Sequence, residues 1–255
     1  SLCLVSLSFH RGVRAALAEA LRRLVVSPVS GHSLATALRK LAHATERGDV
    51  ETCLAAETRL RHRTGKVREA AVIAYGRAAL KSDIAAVREI GQLTADGSYR
   101  VRAAAARALG RVANDGDLDT VVRLVDLFPD TEGDVSQAAV EGLVQLAQRG
   151  NAGILAVVTA LLTSASARSR CSALDTLAQL GRGGGPALVS RVAKRLEDCD
   201  ASVRASAVNA LREIADHGDE IIIQAALDGL SHRDGQVRAT AVSTLAWAAH
   251  LGDVR

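Results

Sequence analysis

The sequence predicts an all-α solenoid of seven two-helix repeats, each 34 residues long, and three markers in one phase carry that prediction. The first is a helical motif, clearest at Val101-Arg102-Ala103-Ala104-Ala105-Ala106-Arg107-Ala108-Leu109. It returns with starts at residues 33, 67, 101, 135, 169, 203 and 237. Fifteen residues after each start stands Gly48, Ser82, Gly116, Gly150, Gly184, Gly218 or Gly252. Asp or Asn follows in most copies, as Asp49, Asp83, Asp117, Asn151, Asp219 and Asp253. Three residues before each start stands Ser30, Thr64, Ser98, Glu132, Ser166, Asp200 or Asp234, and all but Glu132 are good helix N-caps.

Each unit therefore reads as helix A, a short turn, helix B and a glycine turn. Helix B runs from the cap to the glycine, and the segments are expected to begin near 31, 65, 99, 133, 167, 201 and 235. Its apolar positions, counted from the start, are 0, 4, 5, 8, 11 and 12, which fall in one broad arc at 100° per residue. Helix A is legible in Leu118 to Leu127 and in Ile154 to Leu162, with starts near 49, 83, 117, 151, 186 and 219. One such pair cannot bury its own apolar face, so neighbours must stack. The whole chain, 1–255, reads as one solenoid domain.

By the same register Val13 to Val26 is helix A of the first repeat. Residues 1–12 fit two readings: the tail of a preceding helix B, since Leu4 and Leu7 share the phase of Leu38 and Leu41, or an apolar remnant of a targeting segment. The chain begins at Ser1 and stops in the phase of a helix start at Gly252-Asp253-Val254-Arg255, so both ends are expected to lie inside a longer protein.

Composition agrees with packed helices. Apolar residues make up 48%, aromatics only 2%, and Met is absent, so the core must be built from Ala, Leu and Val. Three prolines leave long helices uninterrupted. No run of 18 apolar residues suggests a membrane span. Cys3, Cys53, Cys171 and Cys199 are far apart, with no Cys-x-x-Cys, so they read as free thiols, compatible with a reducing intracellular compartment. Net charge is +4 but uneven. Residues 1–81 hold 14 Lys/Arg against 6 Asp/Glu, a balance of +8, and the rest of the chain carries −4. A basic end rich in arginine suits an acidic partner.

The Val-Arg-x-Ala-Ala-x-x-Ala-Leu pattern on the second helix resembles HEAT repeats, particularly the short regular kind of phycobilisome-lyase-like proteins, over about residues 13–255. Tetratricopeptide repeats share the period, but their Trp/Gly/Tyr and Pro signature is missing here. The resemblance implies a right-handed α–α superhelix and an Asp six residues before the helix-B arginine, repeated as a ladder along the stack. Asp96/Arg102 and Asp198/Arg204 match it. Asp130 is followed by Ser136 instead, and Arg68 and Arg238 have His62 and His232 in the Asp slot, so the ladder reads as broken there. Independently, position 1 of helix B lies inside the apolar arc, where an arginine needs a carboxylate or free carbonyls. Arg102 and Arg204 are expected to find one or the other at the neighbouring turn.

No catalytic constellation emerges. The Gly-rich stretch Leu180 to Pro186 follows a helix, has no Lys-Ser/Thr after it and sits in the inter-repeat turn, so it is not a phosphate loop. His217 lies among acids in the same kind of turn, and His62 and His232 share one repeat phase, which marks a structural slot. No metal or cofactor is expected.

The surface of helix B is more informative. Positions 6 and 10 point away from the apolar arc, onto the face that lines the concave side in HEAT-like solenoids. Position 6 gives Arg39, Ile73, Arg107, Glu141, Asp175, Asn209 and Ser243, and position 10 gives His43, Arg77, Arg111, Gln145, Gln179, Glu213 and Trp247. The early half is basic and the later half polar to acidic.

Arg39, His43, Arg77, Arg107 and Arg111 are therefore the candidate partner-binding residues. Trp247 reads either as an aromatic anchor or as packing against a further repeat. The expected function is a non-enzymatic protein–protein interaction scaffold in a larger complex, with an acidic protein segment as ligand. The alternatives are a HEAT-like subunit associated with a chromophore lyase, which the resemblance suggests, and binding of a nucleic-acid backbone by the basic end. Missing stacking aromatics and the modest charge disfavour the last.

Overall fold

The computed structural model describes residues 30–147, 152–216 and 218–249, with Gly12 and Ala16 besides. Every regular element among the described residues is helical. Seven helices of 14 residues recur every 34: α1 (Gly31–Ala44), α3 (Gly65–Ala78), α5 (Tyr99–Val112), α7 (Gly133–Leu146), α9 (Ala167–Leu180), α11 (Ala201–Ile214) and α13 (Gly235–Ala248). They start at the seven residues expected for helix B. Shorter A helices alternate with them: α2 (Val50–Glu57), α4 (Ile84–Gln92), α6 (Leu118–Val125), α8 (Ala152–Ala160), α10 (Gly185–Ala193) and α12 (Glu220–Gly229). Three of these run on into a 3₁₀ turn, Leu93–Ala95, Leu161–Thr163 and Lys194–Glu197. Apart from Gly12 and Ala16, the A helix expected over 13–26 and the tail expected over 1–12 lie outside the described residues.

The chain forms two compact units, one holding α1–α7 and the other α8–α13. In the first, α1, α3, α5 and α7 pack side by side in chain order, with α2, α4 and α6 against α3, α5 and α7. In the second, α9, α11 and α13 do the same, with α8, α10 and α12 against them. Motif positions 0, 4 and 8 form the core. Val67, Ala71 and Tyr75, Val101, Ala105 and Leu109, and Val135, Ala139 and Leu143 are all buried. Full burial of a Val or Leu side chain stabilises by about 1.5–3 kcal/mol, so repetition of the motif, rather than any one contact, holds each stack.

Small residues set how closely the odd helices approach. A Cβ added at Gly110 would lie 2.6 Å from the Cα and carbonyl oxygen of Gly142, and one at Gly76 would lie 2.5 Å from the Cβ of Ala108. These positions accept no side chain without moving backbone.

Two features of the turns differ from expectation. Helix B stops four residues short of the glycine, and its C-cap, as at Thr45, Ala79 and Ala113, is extended rather than left-handed. The left-handed residue instead opens the cap of the following A helix. Gly48 (φ 87°), Ser82 (φ 67°) and Gly218 (φ 83°) each donate their N–H to a carbonyl ending the next odd helix, at Ala78 (2.6 Å), Val112 (2.6 Å) and Ala248 (2.9 Å). The turn is thus a staple between repeats. Its positive φ, which glycine adopts at little cost, turns the chain that follows into the cap of the A helix. In the glycine-rich stretch the phase slips: Gly184 is right-handed, and Gly183 and Gly185 take the positive φ values.

Candidate functional site

The position-1 arginines and the turns before the odd helices form one recurring arrangement. Arg68 Nη1 donates to the carbonyls of His62 (2.8 Å) and Arg63 (3.2 Å), while its Nε and Nη2 grip the two carboxylate oxygens of Asp96, 2.7 Å each. Arg170 repeats this with the carbonyls of Ser164 and Ala165 and the carboxylate of Asp198, at 2.9 and 2.7 Å. The ladder is therefore diagonal. Each arginine takes carbonyls from its own repeat and a carboxylate 28 residues on, from the slot of the next repeat.

Arg102 and Arg204 accordingly meet the main-chain carbonyls of Asp96 (2.9 Å) and Asp198 (2.8 Å), the second of the two expected outcomes, and Arg238 meets those of His232 and Arg233. Main-chain carbonyls are blind to side-chain identity, which is why Arg68 and Arg238 keep this half of the rung over His62 and His232. Arg170, absent from the sequence-derived ladder, is one of its best-formed members.

The slot residue has a second task. Asp96 and Asp198 accept the N–H two residues on, from Ser98 (2.8 Å) and Asp200 (3.0 Å). Ser164 does the same for Ser166 with its hydroxyl. His62 and His232 do it with Nδ1, for Thr64 (3.1 Å) and Asp234 (3.0 Å). The shared phase of the two histidines is thus a turn-capping role. Burial works to raise the Asp96 and Asp198 carboxyls, but the hydrogen bonds from Arg68 and Ser98, or Arg170 and Asp200, prevail and hold both below the usual carboxylate range.

The basic face of the first unit is built from the C-terminal halves of α1, α3 and α5. Arg39 Nη2 lies 3.2 Å from Glu69 Oε2, and Arg107 Nε donates to Glu141 Oε2 at 2.6 Å. Arg77 Nη1 donates to the Ala42 carbonyl (3.1 Å) and lies 3.4 Å from His43 Nδ1. So Arg39 and Arg107 each carry an intramolecular carboxylate that the helical wheel did not pair with them.

Arg111 differs, because neither a carboxylate nor a carbonyl is bonded to it among the described residues. Its guanidinium is held below its ordinary value by burial first, and then by the like charges of Arg77, Arg107 and Arg47, with Glu141 opposing. Arg47, in the turn after α1, escaped the sequence reading because it lies outside the helix. Its signal is its place directly before the left-handed Gly48. Arg77, Arg107 and Arg111 are half-buried and Arg47 exposed, and among the described residues the Arg111 fork is unfilled, suited to a carboxylate or phosphate oxygen pair.

In the second unit Trp247 is half-buried, and the Arg212 guanidinium lies 5.8 Å from its ring centroid. The described cysteines, Cys53, Cys171 and Cys199, are free thiols, and burial pushes the Cys53 thiol up to about 11, away from reactivity. Among the described residues no group of three or more His, Cys, Asp or Glu is placed to hold a metal, and no helix is long and apolar enough to cross a membrane.

Residues 55–144 match the family model of HEAT repeats. No curated protein matches the chain. Among solved structures it is similar to a chain from tumor overexpressed gene (TOG) domain arrays of microtubule polymerases, studied for tubulin recruitment and assembly, at 14% identity over 80% of this chain and 48% of that one (TM-score 0.56). It is also similar to a chain from a study of microtubule plus-end tracking by XMAP215, CLIP-170 and EB1, at 14% identity over 76% and 90% (TM-score 0.53). A designed armadillo repeat protein in complex with the peptide (KR)4 aligns at 19% identity over 91% and 99% (TM-score 0.46). At these identities the likeness speaks to fold alone. With its helix pairs in one 34-residue register and a match to HEAT repeats across the second to fourth of them, the chain has the fold of a HEAT-like α-solenoid.

Proposed function

We propose that this chain is a protein-interaction scaffold that holds an acidic segment of another protein on the B-helix face of its first unit. HEAT and armadillo-like folds commonly mediate protein–protein interaction, and the TOG arrays that share this fold are described as recruiting tubulin. The observation that supports the reading is Arg111, a half-buried guanidinium with no bonded acceptor among the described residues, set among Arg77, Arg107 and Arg47. Gathering like charges costs free energy that an incoming carboxylate recovers, and a desolvated fork binds it more strongly than an exposed one. Arg39, Arg77 and His43 extend the basic face along the stack.

The test is simultaneous charge reversal of Arg77, Arg107 and Arg111, followed by partner capture from the native source and a salt titration of the capture. Loss of an acidic partner, together with loss of salt sensitivity, supports the reading. Unchanged capture and unchanged salt dependence would place binding elsewhere.

A further inference from the structure

Among the described position-1 arginines, Arg204 keeps only part of its rung, and a buried donor is left unused. Arg204 is 5% exposed, and its Nη1 is satisfied by the carbonyls of Asp198 (2.8 Å) and Cys199 (3.3 Å) as in the other rungs. Its Nε is buried and makes no hydrogen bond. In Arg68 and Arg170 that same nitrogen, with Nη2, holds a carboxylate from the residue 28 positions on. The residue 28 positions after Arg204 is His232. It reproduces only the capping half of the aspartate's work, accepting the Asp234 N–H through Nδ1. Oδ1 of Asp200 and Oδ1 of Asp234 accept the amides of Ser202 and Gln236, and neither carboxylate bonds Arg204. A buried guanidinium nitrogen without an acceptor is costly, and the Nε–Nη2 edge to which it belongs is shaped for two coplanar oxygens.

We propose that Arg204 is a carboxylate seat. A small free carboxylate of the formate or acetate class docks on Nε and Nη2 and completes the rung that Asp96 and Asp198 complete in the others. The planar two-oxygen fork selects carboxylate over halide, because a single spherical ion cannot satisfy both nitrogens in line. The seat lies where α11 packs on α13, so its occupancy fastens the last described helix pair to the stack. Ser231, Arg233 and Asp234 of the turn that carries His232 are exposed, which gives a small ion a short way in.

The experiment compares melting of the wild type and of His232→Asp in sodium formate and in sodium chloride at equal ionic strength. His232→Asp supplies a tethered carboxylate and keeps the turn cap, so it does not depend on removing a buried arginine. Formate affects proteins generally, so the informative quantity is the difference between the two chains. The expected result is a saturable formate increment in the wild type of about 2–4 °C, the size expected from a weakly bound ion in a domain of this size. His232→Asp should melt higher in chloride and show no such increment. Equal increments in both chains, no increment in the wild type, or a His232→Asp chain that melts lower than wild type in chloride would each overturn the proposal.

Discussion

Arg68 and Asp96 join two successive repeats through a two-point fork, with Nε and Nη2 each 2.7 Å from a carboxylate oxygen. Arg170 and Asp198 form the same fork with side chains only 9% and 4% exposed. Removing one partner of such a buried pair costs about 3–5 kcal/mol, because the other charge is stranded. Arg170→Ala should therefore lower the melting temperature far more than Arg107→Ala, whose side chain is 38% exposed. Both aspartates are held below the usual carboxylate range when folded. The stability they confer is thus present above the unfolded value near 4 and is lost as pH falls through the lower folded value. Urea titrations from pH 6 down to pH 2.5 should show this loss in the wild type and a smaller one in Asp198→Asn.

The close approach of α5 and α7 gives a second expectation. Gly110→Ala drives a methyl into the Gly142 backbone and should destabilise by about 1–3 kcal/mol through overpacking. Gly97→Ala, with nothing within 4 Å of the new Cβ, should stay within about 0.5 kcal/mol of wild type. Equal denaturant midpoints for the two variants would contradict the packing described.

Ser82 is the non-glycine residue in the staple position, at φ 67°. Ser82→Gly removes the left-handed penalty and keeps the N–H that reaches the Val112 carbonyl. A gain of about 0.5–1 kcal/mol in chemical denaturation is expected, and a loss would mean that the serine side chain has a role of its own.

The repeat register was fully legible because caps, core positions and turn residues share one period, and every odd helix starts where that register puts it. The ladder was legible as to residue type but not as to partner. Within one repeat, Asp96 and Arg102 stand six apart and invite pairing, yet that arginine meets the main-chain carbonyl. The carboxylate serves Arg68, 28 residues back, and this follows only once stacking is considered, since 28 is 34 less 6. The basic face was legible as a periodic stripe, but the helical wheel could not show that Glu69 and Glu141 already hold Arg39 and Arg107. Nor could it bring in Arg47 from a turn. Those relations depend on side chains crossing between neighbouring repeats.

The most direct test of the scaffold reading is fluorescence anisotropy of a labelled Glu/Asp-rich peptide titrated with wild type, Arg111→Gln and Glu141→Gln. Glu141 occupies Arg107 in the free protein, so its neutralisation frees a second guanidinium for the ligand. The account predicts about tenfold weaker binding for Arg111→Gln, the size of one charge-assisted contact. It predicts tighter binding for Glu141→Gln and weakening with salt in every case. Binding of the peptide that is indifferent to both substitutions, or no binding by any of the three proteins at low salt, would contradict it.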